Sequence, residues 1–433
     1  MGTLSRRLLR ACLVGSLLIA SRPCYAQSDR LALARESLAK GDYKTAIDIT
    51  TILLKENSED IAAAQLNGRA CFTAAEQLRK SGSAARDWLA AYRAAREALT
   101  LVRNFRGEQH TDGSTFQAIG WCYLVEGDYQ QAAQVFEAAI TRGGQETNFA
   151  AIHRLLGLTF VRLDQTDVAL RQYRRALELD PREVDATLEL SELLAQQMQQ
   201  DEARKLLWSC VSQLGASGET GDLERVYLRL YRLALSENNL ELALEPLRLC
   251  RTAVPNSLSA RFQLGYIYYR LGEFAGAQGE FAIFLEPGYR GPKQLCGEAH
   301  AWSGIMAAHQ DDFPRARALL TRALEIIPNH GASLQCLART QKRLGESELA
   351  ATTLEKFRVV AGAENRLHLL RKNLGQPSLE RDSRIAMIRE LIGLDRLDQA
   401  AEELLVFNSR APNGVIAAKL EQEIATARAA KRP

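Results

Sequence analysis

The 433-residue chain has eight cysteines but no C-x-x-C pair. This absence argues against zinc knuckles, thioredoxin-like redox sites and covalently attached haem, which all need closely spaced cysteines. Six cysteines follow residue 26, scattered from Cys71 to Cys336. The spacing favours buried free thiols, while disulfide pairing in an oxidising compartment remains open.

Other signatures of catalysis are missing as well. The six histidines form no H-E-x-x-H motif, and no G-x-S-x-G elbow or glycine-rich dinucleotide fingerprint occurs. The segment GASGETG around Ser217 lacks the lysine and hydroxyl residue of a phosphate loop, which favours a loop between repeats. We therefore expect no enzyme activity, no cofactor, no metal site and no small-molecule substrate.

The chain also lacks a strong charge of one sign. Its formal net charge is +3, but residues 1–26 hold four arginines and no acid, so the remainder has 51 basic and 52 acidic residues. A near-neutral body does not favour a nucleic-acid partner, because phosphate neutralisation needs a dense basic surface. With 46% hydrophobic and 25% charged residues, a folded, water-soluble protein is expected.

The first 26 residues have the three parts of an export signal. Basic Arg6, Arg7 and Arg10 precede an apolar run over 11–20, and Cys24-Tyr25-Ala26 precedes Gln27. We predict cleavage after Ala26 and a periplasmic or cell-envelope location. The Sec and twin-arginine routes both remain open.

A turn-like tripeptide recurs between helix-like stretches. Glycine, an acid and an aromatic residue follow one another at 41–43, 127–129 and 272–274, and Asp311-Asp312-Phe313 occupies a similar place. In the first three, glycine can end one helix in a left-handed conformation and the acid can cap the next. The pattern predicts one helix–turn–helix unit used repeatedly.

A packing register connects these turns. A small or apolar residue on a first helix is followed twelve residues later by alanine in nine cases: 34/46, 120/132, 157/169, 191/203, 231/243, 265/277, 304/316, 338/350 and 388/400. A small residue lets the second helix approach closely, and a large residue such as Phe136, Tyr173 or Phe281 fills the space behind it. Gly68 would mark one more repeat by its position.

The segment from His153 to Pro181 resembles the tetratricopeptide (TPR) repeat at every signature position. The resemblance implies an all-α, right-handed TPR solenoid of about ten helix–turn–helix repeats with a C-terminal capping helix. We expect a signal peptide over 1–26, repeats one to nine over 28–362, an extra helix or junction over 363–376, the tenth repeat over 377–412, and a capping helix and tail over 413–433.

In TPR folds the first helix of each repeat lines a concave groove, so positions near its packing residue are expected to face a ligand. The residues that this rule selects are aromatic or basic. They are Trp121, Arg154, Arg232, Phe262, Tyr266, Tyr269, Arg270, Arg339, Lys342 and Arg343. The alternative is that the tyrosines pack against the neighbouring repeat and the arginines pair with acids.

These features predict a non-catalytic interaction scaffold or adaptor of the cell envelope that holds an extended peptide or protein segment in its groove. Arginine in the groove favours an acidic or carboxyl-bearing partner. The alternative is an accessory or regulatory subunit of an envelope enzyme, or of a secretion or assembly complex.

Overall fold

The computed structural model describes residues 27–430 except 82–84, 107–112, 143–147, 216–219, 375, 377 and 411–413. The predicted signal peptide, Ser217 and the start of the predicted capping segment therefore lie outside the described residues. The chain divides into two compact units, one up to Leu193 and one from Leu194.

The described residues form 21 α-helices and no strand, which confirms the predicted all-α helical-repeat fold. In chain order the helices are α1 (Gln27–Ala39), α2 (Tyr43–Glu56), α3 (Ile61–Lys80), α4 (Ala85–Arg106), α5 (Gly113–Glu126), α6 (Tyr129–Arg142), α7 (Phe149–Arg162), α8 (Thr166–Leu179), α9 (Val184–Gln196), α10 (Gln200–Gly215), α11 (Thr220–Ser236), α12 (Leu240–Ala253), α13 (Leu258–Arg270), α14 (Phe274–Leu285), α15 (Lys293–His309), α16 (Phe313–Ile326), α17 (Gly331–Arg343), α18 (Ser347–Asn373), α19 (Glu380–Gly393), α20 (Leu397–Arg410) and α21 (Gly414–Ala429). Odd-numbered helices up to α19 are the first helices of the repeats.

One turn conformation recurs between first and second helices. Seven residues after each of the nine packing positions, the backbone has positive φ, at Gly41, Gly127, Asp164, Met198, Asn238, Gly272, Asp311, Gly345 and Asp395. At the first of these turns the Gly41 amide donates to the Leu38 carbonyl, and the Asp42 amide donates to the Ser37 carbonyl. The same two bonds occur in all nine turns, which satisfies carbonyls that a helix end leaves free.

The predicted acidic caps are confirmed in two of the three turns. The side chains of Asp42 and Asp128 accept from the amides of Thr45 and Gln131. The prediction was wrong for Glu273, whose side chain makes no capping bond. Its side chain is one methylene longer than that of aspartate, which is the residue that suits the cap position.

Close approach of two helices within a repeat depends on the predicted packing residues. A methyl group added at Gly265 of α13 would lie 2.8 Å from a ring carbon of Phe281 on α14. At Gly157 the added group would be 2.8 Å from Tyr173, and at Gly304 it would be 2.7 Å from Leu320. These glycines therefore set the distance between the two helices of a repeat.

First helices of consecutive repeats also contact each other. In the second unit α13 lies against α15, and α15 lies against α17. Side chains on the face of these helices that points away from their second helices are therefore brought next to one another. The candidate site lies on this face.

The last two repeats depart from the regular length. α18 continues without interruption from Ser347 to Asn373, so residues 363–373 extend the second helix of repeat nine where an extra helix or junction was expected. Its later part is held by Ala363 and Leu367, which are buried in a cluster with Met387 and Ile388 of α19. α21 adds buried Leu420 and Ile424 to the same cluster.

Among the described residues the six cysteines are thiols outside any disulfide, and five of them are buried. Burial raises the pKa of the Cys71 thiol to about 11 and that of Cys250 to about 11. Such thiols remain protonated at neutral pH and act as small packing residues. Among the described helices, none has both the length and the apolar character needed to cross a membrane.

Exchange of two glycines of the same repeat tests the close approach. We expect Gly265→Ala to lower the free energy of unfolding by about 1–3 kcal/mol, because the new methyl group overlaps Phe281. Gly279→Ala is the control, since its added methyl group meets no atom within 4 Å; it is expected to raise stability by about 0.5–1 kcal/mol. Urea unfolding followed by far-ultraviolet circular dichroism measures both; equal effects of the two changes would contradict the packing role.

The turn conformation yields a second prediction at Met198, whose φ is 62° and whose side chain is 78% exposed. Met198→Gly relieves a left-handed strain of about 1–2 kcal/mol and loses about 0.5–1 kcal/mol through greater freedom of the unfolded chain. We therefore expect a net stabilisation near 1 kcal/mol, read from the urea midpoint. Met198→Ala keeps the strain and should show no gain; a gain of similar size in both variants would rule out the turn as its source.

Candidate functional site

Three aromatic side chains of the second unit form what we call the aromatic cluster: Tyr266 and Tyr269 of α13, and Trp302 of α15. The ring centroid of Trp302 lies 5.1 Å from each tyrosine centroid, with interplanar angles of 58° for Tyr266 and 42° for Tyr269. The two tyrosine centroids are 6.5 Å apart. All three side chains are half-buried, so part of each ring remains accessible.

Local sequence explains this arrangement. Gly265 faces Phe281, so the following Tyr266 and the residue three positions on, Tyr269, lie together on the adjoining face of α13. Trp302 comes two residues before the packing residue Gly304, a position that the groove rule does not select. It was therefore missed from the sequence, although a tryptophan next to the packing glycine of the adjacent repeat was an available signal.

Phe262 requires a correction. The sequence rule placed it in the groove, but its side chain is only 7% exposed and lies with its ring centroid 5.6 Å from that of Phe281 and 5.9 Å from that of Phe284. Phe262 lies one helical turn before Tyr266 on nearly the same side of α13, but at this level of the helix the rings of Phe281 and Phe284 from α14 cover it. Phe262 consequently supports the cluster from below and is not available to a ligand.

Arginine borders the aromatic cluster on α13. Arg270 Nη1 donates to the Tyr266 hydroxyl at 3.3 Å, and its guanidinium carbon lies 5.8 Å from the Tyr266 ring centroid. Arg232 lies exposed on α11, the first helix of the preceding repeat. Both cations thus remain near the surface.

Three cations of α17 form what we call the basic patch: Arg339, Lys342 and Arg343. All three are exposed, and within the described residues none forms an ion pair with a carboxylate. Arg339 and Arg343 line one pocket together with Ile305, Ala308, His309, Asp311, Phe313, Cys336 and Thr340. Asp311 is the acid in that lining, so the pocket keeps an excess of positive charge.

The basic patch adjoins the aromatic cluster. Tyr269 of the cluster packs against a buried group of side chains that includes Ile305 of α15 and Cys336 of α17. Cys336 in turn lines the pocket of Arg339 and Arg343. The first-helix face therefore runs from aromatic rings on α13 and α15 to unpaired cations on α17.

Glu298 of α15 lies beside the cluster but its carboxylate is engaged. Gln294 Nε2 donates to Oε1 at 3.2 Å, and His330 Nε2 lies 3.4 Å from Oε2. Burial acts to raise the pKa of Glu298, yet His330, Gln294 and the Trp302 indole together outweigh it and hold this pKa below its usual value. Glu298 thereby fixes Trp302 and does not compete for the basic patch.

The first unit holds the two remaining predicted residues, and one pocket is lined by both Trp121 and Arg154. Trp121 Nε1 donates to Glu76 Oε1 at 3.2 Å, and Tyr92 donates to the same oxygen. Arg154 Nη1 donates to Glu189 Oε1 at 2.9 Å, and Arg154 Nε lies 3.3 Å from Glu183 Oε1. The alternative expectation, that the arginines pair with acids, therefore holds for Arg154. It does not hold for the three cations of the basic patch.

Over the part of the chain that the structure describes, no three His, Cys, Asp or Glu side chains converge as metal ligands. The arrangement on α13, α15 and α17 can bury apolar groups and bind anions.

The Tyr92–Glu76 bond of the first unit gives a testable consequence. Burial and the bond to Glu76 raise the pKa of Tyr92 to about 12, above its usual value of 10.0. The bond is therefore complete below pH 10 and is lost as the pH rises through 12. Tyr92→Phe should cost about 1.5 kcal/mol at neutral pH, by thermal unfolding, with the difference narrowing above pH 10. Tyr129→Phe is the control, since the Tyr129 hydroxyl makes no hydrogen bond within the described part of the chain. Equal stability of the two variants at neutral pH would contradict the assignment.

A family model of the tetratricopeptide repeat matches residues 154–207 and 262–330. Similar solved structures include PilF of Pseudomonas aeruginosa, 18% identical over 52% of this chain and 97% of that chain, with a TM-score of 0.40. PilW, described as a widely conserved type IV pilus biogenesis factor, is 16% identical over 54% of this chain and 96% of its own, with a TM-score of 0.40. YrrB, described as a TPR protein with an unusual peptide-binding site, is 22% identical over 49% of this chain and 95% of its own, with a TM-score of 0.31. No curated protein matches the sequence.

Proposed function

Because the chain carries tetratricopeptide repeats over 154–207 and 262–330, as its sequence predicts, we propose that it is a protein-binding scaffold whose second unit holds an extended segment of a partner. The observation that carries this proposal is the aromatic cluster lying next to the basic patch on one face of α13, α15 and α17. Tyr266 and Tyr269 pack against Trp302 of the next repeat, as the alternative interpretation of the sequence expected, and part of each ring is still exposed.

Aromatic and arginine side chains are the residue types that contribute most at protein interfaces. A half-buried ring that becomes fully covered gains apolar contact at little cost in side-chain entropy. Tyr266, Tyr269 and Trp302 already hold one another in place, so little further ordering is required on binding. The cluster is accordingly the anchor for apolar groups of the partner.

The basic patch determines the charge of the segment. Arg339 and Arg343 lack carboxylate partners among the described residues, whereas Arg154 and Arg317 have them. A guanidinium can bind a carboxylate through two parallel hydrogen bonds. The proposal therefore specifies an acidic or carboxyl-bearing segment, with Lys342 adding long-range attraction.

The basic and apolar pattern of residues 1–26 supports a location in the cell envelope or periplasm. In that setting the protein would act as an adaptor within an envelope complex. We propose no catalytic step for it.

A charge-reversal experiment tests the binding role. When a photo-crosslinking amino acid replaces Tyr266, irradiation of the cells that make the protein is expected to join it covalently to one partner protein. Arg339→Glu combined with Arg343→Glu should reduce the yield at least about tenfold, because two charge-assisted contacts become repulsive. The melting temperature should change little, since both side chains are exposed and neither has a carboxylate partner within the described residues; the contact of Arg343 with the Phe313 ring, at 5.9 Å, is the one interaction with an aromatic ring that the change removes.

The matched control reverses two exposed cations on second helices, Arg315→Glu on α16 with Lys356→Glu on α18. This variant has the same net charge as the test variant and should crosslink as the unaltered protein does. An equal loss in both variants would assign the effect to net charge, and no loss in either would reject the first-helix face as the binding surface.

A further inference from the structure

One leucine of repeat nine is exposed at a position that is buried in the other repeats. The position comes four residues after the alanine of a packing pair, and within the described residues its other occupants are 0% to 5% exposed. They are Thr50, Phe136, Tyr173, Leu207, Leu247, Phe281, Leu320 and Leu404. Leu354, which follows Ala350 of α18 by four residues, is 38% exposed. Repeat nine therefore leaves open a position that is covered elsewhere in this register.

In other repeats the cover is the first helix of the next repeat. Phe281 of α14 shares a buried cluster with Ala299 and Met306 of α15. Leu320 of α16 shares another with Leu337 of α17. The side chain at this position thus normally forms the floor of a site that a helix fills.

The length of α18 explains why Leu354 is uncovered. α19 packs on the later part of α18, where Val360, Ala363 and Leu367 are buried in the cluster that the two helices share. α18 has 27 residues and α19 has 14, or about 40 Å and about 21 Å, so α19 spans only about half of α18. The side of residues 347–357 that a first helix covers in other repeats is consequently open over about 16 Å.

The groove left between α17 and α18 is apolar at its floor and basic at its edge. Ala338, Leu354 and Phe357 line it, and its volume is about 360 Å³. Arg339 and Lys342 line it from α17, while no carboxylate lies among its lining residues in the part of the chain that the structure describes. A ligand of this groove therefore needs apolar side chains with negative charge next to them.

We propose that the groove between α17 and α18 binds an acidic amphipathic helix of a partner protein, which takes the place of the missing first helix. Apolar side chains at a spacing of three or four residues cover Leu354 and Phe357. Carboxylates beside them bind Arg339 and Lys342. The inference goes beyond the proposed function, which concerns an extended segment on the first-helix face around Tyr266.

Three synthetic peptides of 13 residues test the chemistry of the occupant. The first has the sequence of α9, an acidic first helix with Asp185, Glu189 and Glu192 and no basic residue. The second carries Asp185→Asn, Glu189→Gln and Glu192→Gln, and the third has the residues of the first in an order without an apolar face. A hydrocarbon staple keeps all three helical, because isolated helices of this length are marginal in water.

Fluorescence anisotropy with the full chain at low salt measures the binding of these peptides. We expect the acidic peptide to bind at least about tenfold tighter than the neutral one, because two cations face its carboxylates. The scrambled peptide should also bind at least about tenfold more weakly than the acidic one, because it cannot place its leucines together in the groove.

Two tryptophan substitutions on α18 locate the site. Ala351→Trp fills the groove that Ala351 lines, and should weaken binding of the acidic peptide at least about tenfold. Thr352→Trp is the matched control, since Thr352 is exposed on the same helix outside the groove lining. Both positions are exposed, so the urea midpoints of the two variants should stay close together. An equal loss of binding in both variants would overturn the assignment to the groove.

Equal binding of the acidic and neutral peptides overturns the inference, and so does the absence of binding by the acidic peptide. A dimer of the chain in sedimentation velocity that Ala351→Trp dissociates also overturns it, because a second copy would then fill the groove. None of these results decides the proposed function, which the crosslink from Tyr266 judges separately and which Ala351→Trp should leave unchanged.

Discussion

Close approach of two helices at a residue without a side chain is the constraint on which this protein depends. Where Gly265 meets Phe281 and Gly157 meets Tyr173, the axes come near enough for a large ring to fill the space between them. The ring then supports the first helix from behind and directs the opposite face outward. Because the same contact recurs along the chain, every first helix presents an equivalent face, and the residues on that face are free to differ.

This freedom explains how one fold can carry an aromatic area and a basic area side by side. The core contacts of α13 and α15 use Gly265, Phe262 and Gly304, whereas Tyr266, Tyr269 and Trp302 pack against the edge of that core and stay half-buried. Their packing on one another keeps the rings ordered without a ligand. Arg339 and Arg343 have no carboxylate partner within the described residues: Asp311 lines their pocket without forming an ion pair, and Glu298 and Glu346 have other partners. The rings of this face are therefore ordered, and its cations available, before a ligand binds.

The repeat register could be predicted from the sequence because packing residues obey a fixed spacing. The pairs from 34/46 to 388/400 recur with buried partners, and the left-handed turns follow seven residues after each first member. The site was only partly predictable, because exposure depends on which neighbouring side chains cover a position as well as on register. Phe262 was wrongly placed because Phe281 and Phe284 of α14 cover it. Trp302 was missed because the groove rule does not select the position two residues before the packing glycine. Ion pairing of Arg154 depends on Glu183 and Glu189, which lie 29 and 35 residues away.

The length of α18 has a consequence for how the end of the chain loses its structure. At 27 residues the helix is about 40 Å long, and its first part packs in repeat nine while its later part shares a core with α19 and α21. Because α18 packs in both repeats, unfolding of either repeat removes packing from the other. A break in the middle of α18 would expose Val360, Ala363 and Leu367 together. We expect repeats nine and ten to open as a single cooperative unit, so that their most protected backbone amides share one free energy of opening in deuterium exchange.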